Sequence, residues 1–242
     1  MALGRGSLTA RSIMTTLALT LGVAAPRGAG AEGPARAPVA APEAAPATPY
    51  ALDGVSRDIP AGRMKCPRFD TRRYAGTGVR YASPIFVHSA FVEKLIAFDA
   101  LVASTAVEVY GRAPEELHHL GGTTCESLNG QRRFSEHAFG NAIDVDSFTF
   151  GALPAGERLP EGLPAGLALA FKVSISWHFF AKSPLGRVHS RFLHRLALRL
   201  VADRDLFRVV LGPGYGDHWS HFHLDAAPYR FSFVLASPDL AR

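Results

Sequence analysis

From Ser89 onward, apolar residues return at Phe91, Val92, Leu95, Ile96, Val102 and Val107. This spacing predicts a core-facing helix capped by Ser89 and ending before Gly111. A second helix is expected over roughly Pro184 to Asp203, where Val188, Phe192, Leu196 and Leu200 recur on one side. Runs rich in branched and aromatic residues read as strands: 117–124, Ala142 to Phe150, Phe171 to Phe180, Phe207 to Leu211 and His221 to Ala226. The last two are joined by the turn-forming Gly212-Pro213-Gly214-Tyr215-Gly216. Helices and short strands mix without an internal repeat, so the pattern predicts an α+β domain, a small antiparallel sheet flanked by helices.

Upstream the pattern changes. Arg5 and Arg11 precede an apolar run from Ile13 to Ala25, and Ala29-Gly30-Ala31 follows as a small-residue cleavage site. Residues 1–31 thus read as an export signal, with an uncleaved N-terminal anchor as the alternative because Pro26 and Arg27 interrupt the cleavage region. The run itself is too short to span a bilayer. Residues 32–57 begin as a nearly pure Ala/Pro/Gly/Glu tract, with too little apolar surface to offset its ordering entropy, and are expected to form an extended linker. One folded domain is expected over 58–242. No later stretch resembles a membrane span, so the expected location is periplasmic or secreted.

Charge narrows the partners. The chain carries a formal +5, and losing the three arginines of residues 1–31 would leave about +2. Such a mild balance argues against a nucleic-acid footprint. Arg187, Arg191, Arg195 and Arg199 lie at i, i+4 spacing on the second helix, where a solvated face competes with a grip on an anionic wall polymer. The two cysteines, Cys66 and Cys125, make an even count, which in an exported protein suggests one disulfide. A thiol enzyme using Cys125 and His137 is the rival reading, and a disulfide would remove its nucleophile.

The candidate chemistry lies in the histidines. His218, His221 and His223 crowd into eight residues, Asp217 to Leu224. On a strand, His221 and His223 share a face while Phe222 and Leu224 take the other, which makes a poor core and a good ligand pair. The second cluster is Ser135-Glu136-His137-Ala138-Phe139-Gly140-Asn141-Ala142-Ile143-Asp144, in which a bend with His137 precedes a strand. Asp144 and Asp146 both face away from Ile143 and Val145, so period alone leaves the choice between them open. Imidazole and carboxylate together suit Zn2+, and three protein ligands leave one position for water, as in catalytic zinc sites.

The text from Arg133 to Val145, with Leu211-Gly212-Pro213-Gly214-Tyr215 and His221-Phe222-His223-Leu224-Asp225, resembles the extensin-like C-terminal family of bacterial proteins. That family is related to the zinc peptidases typified by lysostaphin and the D-Ala-D-Ala carboxypeptidases. The shared pattern is Ser-x-His-x-x-Gly-x-Ala-x-Asp followed much later by His-x-His, and the likeness covers about residues 60–230. The resemblance implies that His137, Asp144 and His223 hold zinc, favouring Asp144 over Asp146. It further implies that His221 acts beside the zinc water as base or transition-state stabiliser, with His218 as a second helper. Ser135 matches a substrate-binding position, and Arg133 is placed to hold a carboxylate or a developing oxyanion. Some relatives carry Glu three residues before the last ligand, where this chain has Ser220. The function this implies is a zinc metallopeptidase cutting peptidoglycan stem peptides or cross-links; the alternative is a catalytically inactive, zinc-containing wall-binding module. The bond cut is expected to be a D,D or an L,D peptide bond.

Overall fold

A computed structural model of the chain describes residues 49–62 and 64–242. The predicted export signal, and the linker up to residue 48, lie outside the described residues. The element order is β1 (Thr71–Tyr74), β2 (Arg80–Tyr81), β3 (Ile85–His88), α1 (Ser89–Tyr110), β4 (Glu116–Gly121), β5 (Ala142–Phe150), β6 (Phe171–Ser174), α2 (Ile175–His178), α3 (Pro184–Ala202), β7 (Val209–Leu211), β8 (Phe222–Asp225) and β9 (Phe231–Phe233).

The α+β class holds, but the sheet is larger and more mixed than the strand pattern suggested. Seven strands run in the order β2-β4-β5-β8-β7-β9, with β6 also paired to β5. The central pairs are antiparallel, whereas β2 on β4 and β9 on β7 are parallel. These outer strands are two and three residues long, too short to leave a periodic signature. β1 and β3 form a separate antiparallel ribbon.

One face of the sheet packs on α1 and α3. On α1 the buried stripe is Phe91, Leu95, Phe98, Val102, Ala106 and Val109, steps of three and four that keep one side inward. Ile96 and Val107, expected in that stripe, are 43% and 49% exposed because each lies off it by a residue. On α3, Phe192, Leu196 and Leu200 are fully buried as expected, and Val188 packs at the core margin. Of the four aligned arginines, Arg195 and Arg199 reach Glu108 of α1, which ties the two helices together.

β5 organises the whole sheet. Its apolar positions Ile143, Val145, Phe148 and Phe150 break strict alternation once. The ladder breaks in the same place: His118 faces Ser147 but His119 faces Val145, leaving Asp146 as an extra residue. Such a bulge shifts the side-chain alternation by one, which returns Phe148 and Phe150 to the core, both fully buried. Over 171–180 the predicted single strand ends at Ser174, where the chain turns into α2. The His178 ring accepts from the Ser174 backbone N at 2.9 Å and closes that turn, and Ile175 and Phe179, one helical turn apart, are both buried.

The packed unit also starts earlier than the expected boundary at 58. Tyr50 donates to Asn141 at 2.6 Å, Leu52 is buried beside Phe134 and Phe139, and Asp53 pairs with Arg208. Composition could not reveal this because each partner is more than 80 residues away in sequence. Cys66 and Cys125 are disulfide-bonded with Cα atoms 5.6 Å apart, which confirms the pairing and removes the thiol nucleophile of the rival reading. Among the described residues no helix is long and apolar enough to cross a membrane.

Candidate metal centre

The sheet face turned away from α1 and α3 carries the polar residues. β8 alternates as expected: Phe222 and Leu224 are fully buried in the core, and His223 takes the other side. In the β5–β8 ladder Asp144 and His223 are direct cross-strand partners, so register alone brings a carboxylate and an imidazole together on one face. His137 arrives from a 3-10 turn, Glu136–Phe139, capped by the Ser135 hydroxyl accepting from the His137 backbone N at 3.3 Å. The turn ends at Gly140 with φ +61°, and a Cβ there would lie 2.5 Å from the Phe69 ring and 2.8 Å from the His88 backbone N. Only glycine fits that junction.

The three side chains meet. His137 Nε2 lies 3.2 Å from Asp144 Oδ2 and 3.2 Å from His223 Nδ1, and His223 Nδ1 lies 2.9 Å from Asp144 Oδ1. Together they form a group that could hold a metal ion, the one such cluster among the described residues. Ligands at zinc bond lengths and tetrahedral angles sit about 3.3 Å apart, so the donor set fits with small adjustment. Asp146 is outside the group; it accepts from the Ser147 hydroxyl at the bulge.

The electrostatics favour positive charge here. Burial alone would raise the Asp144 carboxyl, but hydrogen bonds and charge from His137 and His223 hold it far below the usual carboxylate range. Burial likewise opposes charge on His223, yet hydrogen bonds to Asp144 and Asp225 and their charges push it up to about 10. Asp225, which the sequence pattern did not single out, contacts this group. Its Oδ2 lies 2.9 Å from His223 Nε2, while its Oδ1 accepts from the Ala227 backbone N at 2.9 Å. Asp225 thus holds Nε2–H, so that Nδ1 is the nitrogen facing the group, and a metal bound there would displace the Nδ1 proton.

His221 and His218 stand beside it. His221 Nε2 is 3.8 Å from Asp144 Oδ1, and the His218 ring is 4.9 Å from that of His221 and 5.7 Å from that of His223. His218 donates from Nδ1 to the Tyr215 carbonyl at 3.1 Å, which leaves Nε2 as the acceptor. Burial lowers both imidazoles below their ordinary value. All five residues line a cavity of about 670 Å³, as do Ser135 and Arg133, the latter exposed. An aromatic wall of Tyr215, Tyr229 and Phe231 lines it as well.

The model of the family described as "Extensin-like protein C-terminus" matches residues 52–157. The match takes in Cys66, Cys125, Ser135, His137 and Asp144 and ends before the strand that carries His223. No curated protein and no solved structure matches the chain. Residues 52–157 are therefore similar to the C-terminal part of extensin-like proteins, in agreement with the motif they contain.

Proposed function

We propose that this chain is a zinc-dependent peptidase acting on the stem peptides or cross-links of peptidoglycan, with His137, Asp144 and His223 as its metal ligands. The observation that carries the reading is the convergence of these three side chains in one cavity, with two further imidazoles, His221 and His218, alongside. A purely structural metal has no use for those two. Zinc, when bound, would polarise a scissile carbonyl and acidify a water. The chain's own residues supply the rest. His221, nearest the group, takes up a proton during attack and returns it to the leaving amine. The exposed Arg133 supplies positive charge where oxyanion charge develops, and His218 adds a hydrogen bond there once its Nε2 has taken up a proton. Ser135, already engaged as a cap, retains its hydroxyl proton for a substrate carbonyl.

The peptidoglycan substrate is supported by the resemblance to wall peptidases and by the expectation of export, to which the disulfide is suited. Purified protein should contain about one zinc per chain and release muropeptide fragments from wall sacculi, and His223→Ala should do neither. Equal fragment release by wild type and His223→Ala would end the assignment. Zinc and sacculi bound by wild type without fragments would point to a wall-binding module instead.

A further inference from the structure

The two histidines of the metal group are held in different ways. His223 has Asp225 behind it, whereas His137 Nδ1 is buried and makes no hydrogen bond within the protein. Metal-ligating imidazoles usually have their second nitrogen fixed by a partner. His137 must therefore take its direction from the backbone turn that carries it. That turn is clamped by an unusual device. Glu136, the preceding residue, is buried and paired with buried Arg57, through Nε to Oε1 at 2.8 Å and Nη2 to Oε2 at 3.1 Å. Asn141, beyond the turn, donates to Glu136 Oε2 at 2.5 Å, and its backbone N donates to the Glu136 carbonyl at 3.0 Å. Tyr50 in turn donates to Asn141 Oδ1. Arg57 is itself fixed by the carbonyls of Leu52 and Val55 and lies over the Phe139 ring at 5.0 Å.

We propose that Arg57 and Glu136 are positioning residues that hold the His137 imidazole in its metal-binding direction. The inference rests on the zinc reading above. A buried ion pair is a poor source of stability, since a neutral pair of similar shape often serves as well. Its place, gripping both ends of the turn that presents His137, gives it a different use. The segment from Tyr50 to Arg57 thereby belongs to the metal centre although it contributes no ligand.

The test is metal affinity in folded protein, measured by competition with a chromophoric chelator, together with the visible spectrum of the Co2+-loaded form. The double variant Arg57→Met/Glu136→Gln removes both charges and should melt near wild type in EDTA. It should bind Zn2+ about 10- to 100-fold more weakly and show an altered Co2+ spectrum. Glu136→Gln, which keeps an acceptor for Arg57, should lie between. A folded double variant with affinity within about twofold of wild type and an unchanged spectrum overturns the proposal, whatever its melting temperature. Should the double variant not fold, Glu136→Gln decides: a loss of about fivefold or more supports the proposal, and wild-type values overturn it. Wild type that binds no zinc removes the metal reading and this inference with it, an outcome distinct from variants that bind as wild type does.

Discussion

His223 lies between two carboxylates, Asp144 at its Nδ1 and Asp225 at its Nε2, each at 2.9 Å. Asp144 shares the metal group, while Asp225 fixes which nitrogen of His223 faces it. Asp225→Asn keeps an acceptor for Nε2 but loses the charge, so Zn2+ affinity should fall about 10- to 100-fold in a chelator competition. Wild-type affinity in that variant would reduce Asp225 to a support of the Ala227 turn. This residue was legible in principle, because His221, His223 and Asp225 alternate along the predicted strand from His221 to Ala226 and would share a face there. Periodicity also put His221 beside His223, but it could not choose between Asp144 and Asp146. The choice follows from register, since only Asp144 stands opposite His223. Arg57 and Glu136 left no trace of their pairing, being 79 residues apart.

At the scale of elements, the long periodic segments α1, α3 and β5 were legible, and their caps fell within a residue of where Ser89, Gly111 and Pro184 suggested. The short strands β1, β2, β3 and β9 were not, because pairing rather than propensity defines them. The bulge in β5 sits between these cases: spacing the core residues as 143, 145, 148 and 150 already demands one extra residue. Deleting Asp146 would restore plain alternation with Phe148 and Phe150 still facing the core, so the deletion variant should keep cooperative unfolding. Asp146→Ala should cost less than about 1 kcal/mol and leave zinc affinity unchanged. A deletion variant that loses cooperative unfolding would refute this account of the strand. α1 also carries Asp99, fully buried and accepting from Tyr74, Thr77 N and Tyr81. Burial raises its carboxyl from 3.8 to about 6, against the opposing pull of those hydrogen bonds. The folded state thus binds this proton more tightly than the unfolded chain. The stability this contributes is complete below about pH 4 and is lost as pH rises through about 6. The melting temperature of Asp99→Asn minus that of wild type should therefore climb between pH 4 and pH 7. A flat difference would show that Asp99 ionises as easily folded as unfolded.

At the scale of the whole molecule, two long-range ties converge on the turn that carries His137. One is the Arg57–Glu136 pair, and the other is the disulfide between Cys66 and Cys125, which spans 59 residues and encloses β1 to β4 with α1. Next to Cys125, the Thr124 backbone N donates to the His137 carbonyl at 3.2 Å. The crosslink therefore restrains the unfolded chain and braces the folded site at once, and these effects are separable. Closing a loop of this length should stabilise by about 4 kcal/mol, read as a lower urea midpoint in Cys66→Ser/Cys125→Ser with little change in slope. Zinc affinity at low temperature, where the variant remains folded, reports the second effect. A stability loss with unchanged affinity would mean that the sheet register and the Arg57 clamp suffice to set His137. A loss of both would place the disulfide in the support of the metal centre, and an unchanged urea midpoint would contradict the loop-entropy argument itself.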